Sequence, residues 1–190
     1  ADLTTLAKVL AGGLPGGAVG GRAEVLRHLD FGDAAWMKEH KIRHNGTFNA
    51  NPLSAAAGVA TLERVRGGEP GRHANVLMQQ IISGLNEVIQ AHRLRGWAAY
   101  GDGSIFHLVA GVTPGFAPGE LPSHLAASVF KQGGDPQILG ALRLALINRG
   151  IDFMRGRSGF LSLAHTQADV AATIAAFDAA LSDLAAEGVI

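Results

Sequence analysis

Apolar residues recur at helical spacing in three stretches of the chain. Leu77, Ile81, Leu85 and Val88 form the first, and Ile138, Leu142, Leu146 and Ile147 the second. Val170, Ile174, Phe177, Leu181 and Leu184 form the third, alternating steps of four and three. That heptad-like stripe fits a core face or a coiled coil. Asp135-Pro136 and Thr166-Gln167-Ala168-Asp169 mark helix starts, and Gly150 marks a stop. Between these helices, residues 97–100 and 104–110 predict two strands joined by Gly101-Asp102-Gly103. Residues 111–123 form a Pro/Gly-rich loop, and short strands follow around 151–154 and 159–163. The order helix–strand–strand–helix–strand–strand–helix predicts a compact α+β layer.

The first third of the chain has a different pattern. Residues 12–21 are dominated by glycine with Pro15, which excludes a helix and predicts a loop leading to a short strand at 18–20. A short helix over 22–29 follows, and residues 30–50 lack periodicity. Asn51 is a good N-cap and Pro52 a good first helical residue, because proline lacks only an N–H that would be unpaired there. Ser54, Ala55, Ala56, Ala57, Gly58 and Ala60 allow close backbone approach, so this helix is expected to be deeply buried. Gly67-Gly68-Glu69-Pro70-Gly71 reads as a linker and sets the expected domains at 1–68 and 69–190.

Composition narrows the function classes. The 190 residues include 16 basic and 16 acidic side chains, a balance that lacks the cationic footprint of a nucleic-acid binder. No cysteine is present, which removes disulfides, thiolate zinc sites and a thiol nucleophile, and fits a cytoplasmic setting. No run approaches the ~18 apolar residues of a membrane span. The chain opens on Ala1-Asp2-Leu3 without an initiator Met, and is expected to be the C-terminal portion of a longer polypeptide.

Of the four lysines, Lys8 stands apart. It lies between Leu3/Leu6 and Val9/Leu10, just ahead of the glycine run. An amine held among apolar groups is disfavoured as a cation and available to attack an aldehyde; an amphipathic strand end would have the same pattern. The glycine run does not match G-x-x-x-x-G-K-[ST], and no βαβ unit accompanies it, so a nucleotide-binding loop has little support. His40 and His44 lack the glutamate of a zinc helix and a third ligand. Ser104, Ser158 and Ser162 lack a G-x-S-x-G elbow.

Two segments taken together carry a resemblance. Asp2-Leu3-Thr4-Thr5-Leu6-Ala7-Lys8-Val9-Leu10-Ala11-Gly12-Gly13-Leu14-Pro15-Gly16-Gly17-Ala18 resembles the lysine motif of class III pyridoxal-phosphate-dependent aminotransferases. About 40 residues on, Gly46-Thr47-Phe48-Asn49-Ala50-Asn51-Pro52-Leu53-Ser54-Ala55-Ala56-Ala57-Gly58 is similar to that family's second motif. Gly159-Phe160-Leu161-Ser162-Leu163-Ala164-His165-Thr166 is similar to the C-terminal segment of its glutamate-1-semialdehyde 2,1-aminomutase branch.

The resemblance implies an α/β fold, the C-terminal part of a PLP-dependent transferase of fold type I: the end of the large domain, 1–68, plus an α+β small domain, 69–190. It implies pyridoxal 5'-phosphate as cofactor, Lys8 as its Schiff-base and proton-transfer residue, and Thr47 with Gly46 as phosphate-binding residues, typically for the neighbouring subunit. A homodimer with its active site at the subunit interface is implied, acting on a small-molecule amine or amino acid, with neither nucleic acid nor membrane as partner. The parent reaction would be transamination or, alternatively, the intramolecular exchange of an aminomutase in tetrapyrrole precursor synthesis. A rival of another class is a non-catalytic module whose Ala/Gly-rich helix serves dimerisation.

Some positions depart from the family pattern. Ala7 replaces a glycine common in relatives, Asn49-Ala50 replaces Ser-Gly, and Arg157 stands where aminomutases carry a glutamate. The family's acidic partner of the pyridine nitrogen, phosphate turn and ring-stacking aromatic lie upstream of the lysine, and no residue before Lys8 matches them. These 190 residues alone are therefore expected to bind the cofactor weakly and to be inactive.

Overall fold

The computed structural model describes all 190 residues, Ala1–Ile190, which divide into two compact units, Ala1–Gly68 and Glu69–Ile190.

The first unit is built on a hairpin. Strand β1 (Leu3–Ala7) pairs antiparallel with β2 (Gly17–Gly21), with Leu3 opposite Gly21 and Ala7 opposite Gly17. β1 lies ahead of the predicted strand, and β2 extends that strand at both ends. A 3₁₀ turn, Lys8–Ala11, leaves β1 and ends at Gly12 in the left-handed region, φ 60°. A short α1 (Ala23–Leu26) runs into a second 3₁₀ turn, Arg27–Leu29, where a single helix was expected. α2 (Ala34–Glu39) forms inside the predicted loop, because Asp33 accepts the Trp36 N–H as its N-cap.

α3 (Pro52–Val65) starts as expected: the Asn51 side chain accepts from the N–H groups of Leu53 and Ser54. Its expected deep burial is not observed. Only Gly58 is buried, while Leu53, Val59 and Leu62 are exposed. One narrow stripe meets the 3₁₀ turn, and this unit has nothing to cover the remaining faces. That stripe is tightly packed: a Cβ on Gly58 would lie 2.6 Å from Leu10 O, and one on Gly12 2.5 Å from Ala57 O.

The second unit holds the hydrophobic core. α4 (Glu69–Ala91) begins within the predicted linker, with Pro70 in its first turn where no amide N–H is needed. It buries Leu77, Met78, Ile81, Leu85 and Ile89. β3 (Ala98–Asp102), β4 (Ile105–Val109) and β5 (Ser158–Phe160) form one antiparallel sheet in that order. The expected strand at 151–154 reduces to a bridge between Met154 and Ser158, because Arg155 turns the chain at φ 56°.

Between β4 and β5 lie α5 (Ala127–Gln132), which periodicity did not signal, and α6 (Pro136–Ile147), capped by Asp135 as expected. α7 (Gln167–Ala186) opens with the full capping box of Thr166 and Asp169. Its stripe is a core face within this chain: Val170, Phe177, Leu181 and Leu184 are buried, and α7 packs on α4 and α6. A Cβ on Gly84 of α4 would meet Ile174 Cδ1, so glycine there admits the α7 side chain. No helix is long and apolar enough to cross a membrane.

Candidate active site

Lys8 is the residue on which the first unit's chemistry turns. It sits where β1 gives way to the 3₁₀ turn, with φ 58°, a conformation rare for a residue bearing a side chain. Such strain is tolerated where surrounding packing over-determines the backbone. Here that packing is the close approach of α3 to Leu10–Gly12. The expected apolar sheath around the amine is absent: Lys8 is exposed, as are Leu3, Leu6 and Val9. Its amine makes no hydrogen bond or ion pair, so it is free to react.

Gly46 and Thr47 lie in the turn that precedes α3. The Asn49 N–H donates to Gly46 O at 3.0 Å, and Asn49 Nδ2 donates to His44 O at 3.1 Å. A Cβ on Gly46 would lie 2.6 Å from Oδ1 of the exposed Asn49 side chain, which would have to move aside. Thr47 is exposed, and both its hydroxyl and its backbone N–H are uncommitted.

No hydrogen bond joins Thr47 to Lys8. Their chain neighbours Leu10, Ala11, Phe48 and Asn49 line one open cleft of about 590 Å³, together with Gly16, Asn51 and Gly58. An unpaired primary amine and an exposed pair of O–H and N–H donors suit a group carrying an aldehyde and a phosphate.

His40 and His44 are not brought together as ligands. His40 packs at a tilt against the Trp36 ring and lends its carbonyl oxygen to His28, and no cluster of metal-ligating side chains exists. Ser162 contacts His165 in an exposed turn, a local bond that closes the loop before α7.

The second unit contains a cleft that sequence reasoning missed. Tyr100 on β3 lies opposite His107 on β4, which lies opposite Ser158 on β5. The alternation of strand side chains puts these three in one row, on the face opposite the buried Ala99, Phe106 and Leu108. The Ser158 hydroxyl and His107 Nδ1 are hydrogen-bonded at 2.8 Å. Burial first, and then the Arg157 guanidinium, hold His107 below its ordinary pKa. Burial raises Tyr100 above its ordinary value, and Arg157 partly offsets that.

Phe130 of α5 meets Tyr100 edge-on, with ring centroids 5.4 Å apart. Arg157, singled out by its charge, is pinned: Nη1 donates to Phe130 O at 2.9 Å and Nη2 to Lys131 O at 2.8 Å. The cleft measures about 440 Å³, and Lys131, Met154 and Arg155 complete it. Alternation alone could have paired Tyr100 with His107; Ser158 required knowledge of a pairing about 50 residues distant in sequence.

Comparison with known proteins places the chain in a family. Residues 1–100 match the model of the class-III aminotransferases. The chain is 32% identical, over 189 residues, to a glutamate-1-semialdehyde 2,1-aminomutase of Bordetella avium (strain 197N), covering 97% of this chain and 40% of that protein. Among solved structures, an omega-transaminase from Sphaerobacter thermophilus is 31% identical with a TM-score of 0.73, covering 96% of this chain and 38% of that one. A transaminase with PLP bound is 27% identical with a TM-score of 0.75, covering all of this chain and 40% of its own. The chain belongs to the class III aminotransferase family. Its α/β architecture is part of the PLP-dependent fold type I, and it spans about two fifths of the length of the curated relative it matches.

Proposed function

We propose that this chain is the C-terminal portion of a pyridoxal-phosphate-dependent aminotransferase that moves an amino group between an amine or amino acid and a carbonyl acceptor. Residues 1–68 would be the end of its large domain and 69–190 its small domain. The observation that carries the reading is Lys8: an unpaired amine in a left-handed backbone conformation, on a turn buttressed by α3, within the region that matches the family.

Lys8 would hold the cofactor through its Nζ. Thr47 would bind the phosphate through its hydroxyl and N–H, at a turn that Gly46 keeps narrow. Pyridoxal phosphate, when bound, supplies an aldehyde and an electron-withdrawing ring. Lys8 Nζ would take the proton from the substrate Cα and return it on the other side of the exchange. A phosphate site of this kind serves the neighbouring subunit, so the whole enzyme would be a homodimer with a shared active site, working in the cytoplasm.

Borohydride reduction of the full-length holoenzyme tests the assignment. The pyridoxyl label is expected on Lys8, and Lys8→Ala should lose both the label and the visible cofactor absorbance. A label on another side chain, or none, refutes it. Loss of label with K8A would also dismiss a module that serves dimerisation alone.

A second reading is supported by the aminomutase relative: intramolecular exchange of the amino group. Dependence on an added keto acid separates the two, because an aminomutase needs none. The charge of Arg157 favours transamination.

A further inference from the structure

The loop that presents Thr47 has to be held by its own bonds. Every residue from His44 to Ala50 is exposed within this unit, so no packing fixes its shape. Two bonds from one residue do so instead. The Asn49 N–H closes a turn on Gly46 O at 3.0 Å, and the Asn49 side chain reaches back to donate from Nδ2 to His44 O at 3.1 Å. The first bond leaves the two central amides of the turn, those of Thr47 and Phe48, outside the ring and without partners. The second ties down the segment that enters the turn, so that His44 and Asn49 bracket Thr47 on both sides.

The neighbouring positions account for an asparagine at 49. Its Oδ1 lies 2.6 Å from where a Cβ on Gly46 would stand, so glycine leaves the space into which the folded-back amide fits. Ala50 is left-handed at φ 55° and turns the chain. Asn51 then aims its own Oδ1 forward, at the N–H groups of Leu53 and Ser54. One asparagine serves the loop and the next serves α3.

We propose that Asn49 is a positioning residue for the phosphate of the cofactor. Through its tie to His44 it holds the Thr47 hydroxyl and the free amides of the turn in one arrangement that an anion can meet. This role rests on the reading above, in which Thr47 binds the phosphate, and Asn49 acts through Thr47. A turn that samples other shapes offers its donors together only part of the time, and affinity falls by that fraction. One exposed neutral hydrogen bond restrains it by a factor of about three to ten.

Pyridoxal 5'-phosphate and pyridoxal carry the same aldehyde and differ in the phosphate, so together they separate this role from a general loosening. The full-length protein, stripped of cofactor, is titrated with each, and binding is followed by visible absorbance. Asn49→Ala should weaken pyridoxal 5'-phosphate about three- to tenfold and leave pyridoxal unchanged. Asn49→Leu, close to asparagine in shape but without a donor, should do the same. Gly46→Ala, which displaces the amide, should also do so and add nothing to N49A, because both break one contact. Asn51→Ala removes the cap of α3 instead; it should lower the melting temperature without changing the ratio of the two affinities.

An unchanged ratio in N49A, an equal loss for both probes, or a ratio that falls as far in N51A overturns the proposal. If N49A does not fold, N49L and G46A read the same ratio. A wild type that forms no complex with either probe would bring down the Lys8 assignment and this role with it. A wild-type preference for the phosphate that N49A leaves intact removes Asn49 alone.

Discussion

Burial and the Arg157 guanidinium act in the same direction on His107, and both favour the neutral ring. The Ser158 hydroxyl can donate to Nδ1 of the neutral ring or accept from Nδ1–H, so their bond does not decide the protonation state; burial and the Arg157 charge do. The consequence for stability follows from linkage. As pH falls below the ordinary histidine value, the unfolded chain takes up a proton that the folded chain refuses, so the folded state loses ground. The contribution is whole above that value, declines as pH drops towards the lowered folded value, and is flat below it. The ring is half exposed, so the effect is modest. Urea unfolding between about pH 8 and about pH 5 should therefore show a shallower decline for His107→Gln than for the wild type. Parallel curves would mean that His107 is not held neutral by its surroundings. Lys8 teaches the opposite lesson at this scale. Its neighbours in sequence are apolar, yet they lie exposed beside it, so local composition was a poor guide to its environment. Its left-handed backbone, which composition could not signal, is the feature that sets it apart.

At the scale of elements, capping chemistry was legible and pairing was not. Asn51-Pro52, Asp135-Pro136 and Thr166…Asp169 each begin a helix at the residue expected, because a cap is decided by groups within three positions of one another. β1 and β5 depend on strands elsewhere in the chain, and there the expectations shifted; the strand expected at 151–154 failed locally, at the Arg155 turn. α2 and α5 are six residues each, too short for a periodic signal. α3 shows how an element serves a site. Gly58 lets the helix lie against Leu10 O, and the turn so held carries Lys8. Alanine in a helix interior is ordinarily favoured over glycine by about 1 kcal/mol. At Gly58 the added methyl would stand 2.6 Å from a carbonyl oxygen, and such overpacking costs about 1–3 kcal/mol. Gly58→Ala is thus expected to destabilise the chain and to speed exchange of the Gly12 amide, which bonds to Val9 O. A rise in melting temperature would show that the close approach does not exist in solution.

The two units differ in what holds them together. All 20 residues of the hydrophobic cluster, from Leu77 to Leu184, lie in the second unit, where α4, α6 and α7 and one face of the sheet bury them. In the first unit the only buried apolar side chain is Ala11, while Phe31 is 84% and Phe48 68% exposed. This contrast was half visible in the sequence: the periodic stretches all fall after residue 76, and the glycine-rich third has none. The exposed faces of β1, β2 and α3 could not be foreseen, since a strand of apolar and small residues reads as buried whether or not its covering layer is present. Hydrogen exchange measures this difference directly. Amides of α4, β3, β4 and α7 should exchange only through global unfolding, whereas those of β1 and β2 should open locally, with protection lower by on the order of a hundredfold. The segment Glu69–Ile190 expressed by itself should unfold in one cooperative transition, because its core is self-contained. Uniform protection along both units would contradict this account, as would a non-cooperative melt of that segment. The first result would mean that the stability of the region bearing Lys8 does not depend on surfaces this chain leaves uncovered; the second, that the core of Glu69–Ile190 is not self-contained.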